Sequence, residues 1–201
     1  SLIYICNYLK NGVIVNDVTR VNYSLIKKKI LKKSYCSLSI FPIIILIAFI
    51  ICALYTKNYN PSYAIQNSST TWSEYTLNRP IAFMLCYLFN IIIHTILYIN
   101  IGICIARKHH NYFIAVILSF LTFIGIEAIL EIGFNGILCT SILNSEIGII
   151  FNIMNMISFN DSYGMIAPMI VPSIITILTF ILIHILYKDK EKLIIDCAQN
   201  E

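Results

Sequence analysis

Charge is what this chain has least of. Only 12% of its 201 residues are Asp, Glu, Lys or Arg, against about 25% in an ordinary soluble domain. The shortage is uneven: charges are cleared from runs long enough to cross a bilayer, which takes about 20 residues of helix. That pattern excludes an ordinary soluble domain. A glycine-rich phosphate loop ending in Lys-Ser/Thr is missing, which excludes nucleotide binding in that cradle. HExxH and GxSxG are missing too, and so is the paired-glutamate EExxxR pattern of one intramembrane protease class. Glu127 and Glu131 are spaced wrongly for it. No apolar run carries the arginines of a voltage sensor. Seven cysteines (Cys6, Cys36, Cys52, Cys86, Cys104, Cys139 and Cys197) are scattered without CxxC or Cys/His ligand spacing. Free thiols are the default for such a set, and the pattern predicts no metal site.

What the chain does have is apolar length, with 58% hydrophobic residues, and a systematic placement of its basic side chains. Twelve of the 14 Lys and Arg lie at 10–33, 107–108 and 188–192; Lys57 and Arg79 are the exceptions. Four long apolar stretches separate these segments from two nearly uncharged ones. Basic loops stay on the cytoplasmic face while neutral ones cross, so the alternation predicts both a polytopic membrane protein and its orientation. The formal net charge of +4 does not point to nucleic acid. The basic residues follow topology and show neither aromatic interleaving nor a recognition motif.

Along the chain, residues 1–9 are mostly apolar but too few to span, and read as the tail of a transmembrane helix that begins upstream. Residues 10–38 form a basic, amphipathic cytoplasmic segment, opened by the turn signal Asn11-Gly12. Within it Val21, Leu25, Ile26, Ile30 and Leu31 recur at roughly helical spacing beside five lysines, as in a helix lying on the membrane surface. Residues 39–187 are the transmembrane domain, with spans at about 40–54, 81–106, 112–130 and 166–187, and 188–201 is a cytoplasmic tail. Residues 56–80 read as a polar external loop. Residues 131–165 carry two short apolar pieces of re-entrant or interfacial length. The predicted fold is an all-α membrane bundle of four full spans plus an N-terminal half-span, with the basic N-terminal segment and the C-terminus both cytoplasmic in a cell membrane.

Several polar groups fall inside the spans. Glu127 and Glu131 are four apart and share a helix face. They read either as a polar lining of a translocation path or proton relay, or as interfacial residues already in water. Asn90, His94 and Asn100 lie on the second span and His184 on the fourth, where hydrogen-bonding glue between helices is the favoured role. His109-His110 beside Arg107-Lys108 sits in a tight turn suited to retention or to a soluble partner. The lysines of 27–33 suffice to attract anionic membrane lipid. Charge does not explain why a segment of about 25 residues stands where a minimal turn would reverse the chain.

Three passages carry a family resemblance. "NYLKNGVIVNDVTRVNYSLIKKKILKKSY" is similar to the cytoplasmic link between the second and third helices of export-type ATP-binding-cassette permease subunits, the class with six-helix half-transporters. A basic residue, a Tyr and a Lys recur there in the order of Arg20, Tyr23 and Lys27. "LYINIGICIARKHHNYFIAVILSFLTF" is similar to that family's fourth helix, tight basic turn and fifth helix. The apolar external segment before a final helix and a Lys-rich tail is the third likeness. Departures are Ser119, where relatives often carry Pro, and the missing first helix and most of the second. The resemblance implies a permease without catalytic residues or cofactor, driven by a separate ATPase subunit and paired with a second permease copy or homologue. Arg20, Tyr23, Ile26, Lys27 and Ile30 would form the coupling element, and Asn90, His94, Glu127 and Glu131 a translocation path. Two other readings stay open: an intramembrane protease or other membrane enzyme using Glu127 and Glu131, and a non-transporting immunity or interaction protein.

Overall fold

The computed structural model describes residues 2–10, 13–36, 40–55, 80–130, 132–133 and 167–198. Among these every regular element is helical, in the order α1 (Leu2–Lys10), α2 (Val13–Arg20), α3 (Tyr23–Cys36), α4 (Ile40–Tyr55), α5 (Pro80–Ala106), α6 (Tyr112–Ile129), α7 (Ala167–Leu186) and α8 (Lys190–Ala198). The all-α expectation is met. The external loop expected over 56–80 falls almost entirely outside the described residues. So does most of the apolar segment expected over 131–165.

Local chemistry sets several helix starts. Asn22 caps α3 by accepting the Ser24 N–H at 3.1 Å on its side-chain oxygen. Asn111 does the same for α6 through the Phe113 N–H at 3.0 Å. Asp189 caps α8, accepting from Glu191 N at 3.1 Å. Each side chain satisfies a backbone donor that the first turn leaves orphaned. Pro80 opens α5, where its missing N–H costs nothing.

Among the described residues, three helices are long and apolar enough to cross a membrane: Met84–Ala106, Tyr112–Ile129 and Met169–Leu186. They match three of the four expected spans. The fourth, α4, has 16 residues and so measures about 24 Å at 1.5 Å per residue, short of the ~30 Å hydrocarbon core. The spans expose large apolar side chains, including Phe113, Ile117, Phe120 and Leu121 on α6 and Ile177, Leu178 and Ile181 on α7. Exposed apolar surface of this extent marks a face for a membrane or for another protein.

The chain divides into two compact units. The first comprises Ser1–Ser39, Thr95–Gly125 and Ile175–Glu201. Its core joins Ile5, Leu9, Ile14, Ile26, Ile30, Ile103, Ile183 and Leu193, so all three N-terminal helices share a core with the basic-side ends of α5 and α7. The amphipathic stretch is two helices, not one: the chain breaks at Val21–Asn22, and α1, α2 and α3 pack on one another. Helix α1 lies so close to α5 that a Cβ at Gly102 would come within 2.5 Å of a Leu2 methyl. The second unit comprises Ile40–His94 and Ile126–Ile174. Within it α4 meets α5 through Phe49 and Tyr87, ring centroids 5.8 Å apart and edge to face.

Candidate functional site

Helix α3 is fastened to two of the helices long and apolar enough to cross a membrane, α5 and α7, by side chains on its inner face. The Tyr23 hydroxyl donates to the Tyr187 carbonyl at 2.9 Å, just past the end of α7. One turn on, Lys27 Nζ donates to Nδ1 of His184 on α7 at 3.2 Å. Two turns further, the Tyr35 hydroxyl donates to the Asn100 side-chain oxygen on α5. Asn100 in turn donates from Nδ2 to Thr179 Oγ1 at 3.0 Å, whose own proton goes to the Thr176 carbonyl at 2.8 Å. One polar chain therefore links α3, α5 and α7, and Asn100, fully buried, has its amide satisfied on both sides. This is the gluing role expected of it. The Tyr187 hydroxyl donates to the Ile103 carbonyl at 3.1 Å, closing α7 on α5.

Between these polar contacts, Ile26 and Ile30 are each 2% exposed. The apolar face that pattern alone offers to a partner's groove is filled by the chain's own core. The outer face of α3 instead carries Ser24, Leu25, Lys28, Lys29, Lys32 and Lys33, all exposed. Arg20 is exposed at the end of α2. Lys29 lies 3.8 Å from Asp17, an exposed pair that contributes little; Asp17 also accepts the Tyr8 hydroxyl. Partial burial pushes the Lys27 ammonium pKa down. Burial, with a smaller repulsive contribution from Cys104, pushes the Tyr35 phenol up to about 12. It is a neutral donor at any physiological pH.

The polar residues of the expected path fall in the second unit. Asn90, His94 and Glu127 all belong to it and all are buried. His94 Nδ1 lies 2.8 Å from the Asn90 carbonyl. A carbonyl only accepts, so the ring proton is assigned to Nδ1. Both polar atoms of the Asn90 side chain are buried without a hydrogen-bond partner among the described residues, an arrangement that costs about 1–3 kcal/mol unless a small polar species enters. Glu131 lies outside the described residues. Among the described residues, no group of three or more His, Cys, Asp or Glu could hold a metal ion, and Cys6, Cys86 and Cys104 are free thiols.

Pattern reasoning missed Tyr35 and Thr179 as members of the interhelical chain, and Tyr187 as the residue that joins α3, α5 and α7. A tyrosine at the end of an amphipathic helix and a threonine in a span were the available signals. Compared with protein-family models, curated proteins and solved structures, the chain matches none of them. The class defined by fold and site is an all-helical protein with helices fit to cross a membrane and a basic helix locked to two of them.

Proposed function

We propose that the chain is the membrane-spanning permease subunit of an ATP-driven exporter, powered by a separate ATP-binding-cassette ATPase and paired with a second permease copy or homologue in the cell membrane. The observation that carries the reading is the attachment of α3 to α5 and α7 through Tyr23, Lys27 and Tyr35. A partner pressing on the exposed side, Leu25, Lys28 and Lys29 with Arg20 nearby, would move α3 as a body. Its inner contacts would pass that displacement to two membrane helices. Tyr23, Ile26, Lys27 and Ile30 then transmit motion within the chain, and the outer residues receive it. Such a drive acts by changing the relative stability of two arrangements of the bundle.

The reading includes four crossings, with the basic segment and the C-terminus on the cytoplasmic side, an orientation supported by the placement of the basic residues. Helix α3 is anchored at the basic ends of α5 and α7, while α5 begins 27 residues from its basic end, about 40 Å away along a helix. In this reading α4 supplies the fourth crossing, between α3 and the start of α5. A local thinning of the bilayer accommodates a short span at modest cost.

Asn90, His94 and Glu127, with Glu131 beyond, are the candidate lining of the path. Burial of Glu127 and His94 in one unit also favours a second reading, a membrane enzyme using Glu127. Co-purification of the full-length protein from its native membrane decides among the readings. An accompanying ATPase whose hydrolysis rises with substrate supports the exporter. Peptide cleavage abolished by Glu127→Gln, without any ATPase, supports the enzyme. Protection from a membrane-active peptide with neither activity supports the interaction protein.

A further inference from the structure

Two spans end together on the basic side of the chain. Met84–Ala106 is followed at once by Arg107, and Met169–Leu186 by Tyr187 and Lys188. The Tyr187–Ile103 hydrogen bond holds these ends side by side. At this level opens a cleft of about 690 Å³. Its basic wall is Arg107, Lys188, Lys190 and Lys192, and Ile185 and Leu186 supply an apolar side. Asp189 and Glu191 also line it, but the Asp189 carboxylate is engaged as the cap of α8, accepting from Glu191 N at 3.1 Å and Lys192 N at 3.5 Å.

Arg107 is 7% exposed, and its guanidinium lies 5.8 Å from the centroid of the Tyr187 ring. A guanidinium held beside an aromatic ring is a planar fork of donors that matches phosphate oxygens, and lysines add mobile point charges around it. The apolar side lies where the hydrophobic part of α7 stops, the depth at which acyl chains meet headgroups. A soluble phosphate would leave Ile185 and Leu186 uncovered; a phospholipid covers them and fills the basic wall with the same group. We propose that this cleft holds the phosphate headgroup of an anionic membrane phospholipid. The proposal rests on the membrane-spanning class alone and not on the exporter reading.

Native mass spectrometry of the full chain, released from mixed phosphatidylglycerol and phosphatidylcholine nanodiscs into mild detergent, tests it. Wild type should retain phosphatidylglycerol over phosphatidylcholine. The Lys188→Gln/Lys190→Gln/Lys192→Gln variant should lose that retention by about tenfold or more, since surface lysines act together on an anionic lipid. Glu191→Gln, which removes the uncapped carboxylate, should strengthen retention. Lys28→Gln/Lys29→Gln, on the basic face of α3 outside the cleft, should lower it by no more than about twofold, since those lysines attract anionic lipid only diffusely. Equal retention by wild type and the triple variant would overturn the proposal. So would an equal loss in the Lys28/Lys29 control, which would mean diffuse charge and no site. Displacement of the lipid by millimolar glycerol 3-phosphate would overturn it as well, assigning the same phosphate chemistry to a soluble ligand.

Discussion

Tyr35 on α3 gives its hydroxyl proton to Asn100 on α5, and this contact makes the stability of the bundle depend on a helix that lies outside the three candidate spans. Asn100 is fully buried, so deleting the donor leaves an acceptor without its partner. Tyr35→Phe should therefore cost about 1–3 kcal/mol, read as a lowered unfolding midpoint in detergent. Asn100→Ala alone should cost a similar amount. The double variant should cost less than their sum, because the shared bond can be lost only once.

The same phenol predicts an alkaline transition. Its folded pKa of about 12 stands above its ordinary value of 10.0. A pKa raised on folding contributes stability that is fully present below the unfolded value and is lost as pH rises through the folded one. The contribution of Tyr35 to stability should hold steady to pH 10 and decline from there towards pH 12. Tyr35→Phe should flatten part of that decline, measured as the difference in unfolding midpoint between pH 9 and pH 11. An unchanged slope in the variant would mean that Tyr35 ionises no differently on folding.

Gly102 tests the seat of α1. A Cβ there meets the flexible methyl end of Leu2, which can swing aside, and alanine is favoured over glycine within a helix by about 1 kcal/mol. Gly102→Ala should be close to neutral. Gly102→Val offers no such escape and should destabilise by about 1–3 kcal/mol through overpacking. Leu2→Ala should rescue much of that loss, a recovery that thermal unfolding of the double variant would register.

The orientation expected from the basic residues can be tested directly. Single cysteines at Ser24 and Lys108, in a background without other cysteines, should resist an impermeant thiol reagent added outside intact cells, and one at Ser69 should react. Labelling at 24 with protection at 69 would invert the topology.

How much of this was legible in the sequence differs from element to element. The three long spans were legible because an uncharged run of sufficient length has few alternatives. Asn100 was legible as glue, since an amide in a span needs a partner. Its partners were not, because Tyr35 is 65 positions away and Thr179 is 79. Periodicity identified Ile26 and Ile30 as one face of a helix but carried nothing about what covers that face. It also ran through Val21, which lies outside both helices and is 45% exposed, because an apolar residue beside a cap mimics the repeat. Helix α4 was read as a full span over 40–54 from its composition, although that length is already short of the about 20 residues a crossing takes, and the helix has 16.

The buried position of Ile26 and Ile30 sharpens the test of coupling. Asp at either place would bury an unpaired charge in the core shared by α1, α3, α5 and α7, and such charges strongly destabilise. Ile26→Asp should therefore lower membrane abundance and the unfolding midpoint before any transport step is reached, so it reports on folding. The informative substitutions lie on the outer face, where Leu25 is 56% exposed. Leu25→Asp should leave abundance and the unfolding midpoint within about 0.5 kcal/mol of wild type, as surface changes generally do. If an ATPase docks on this face, the same change should abolish substrate-stimulated ATP hydrolysis and export, because an amphipathic contact loses its apolar anchor. Lys28→Gln/Lys29→Gln should weaken coupling in a salt-dependent way. Lys27→Gln should keep docking, since its side chain points to His184 on α7, yet reduce export per ATP hydrolysed by loosening α3 from that helix. Full export by Leu25→Asp at normal abundance would remove α3 as the receiving surface, and with it the structural support for an ATP-driven permease.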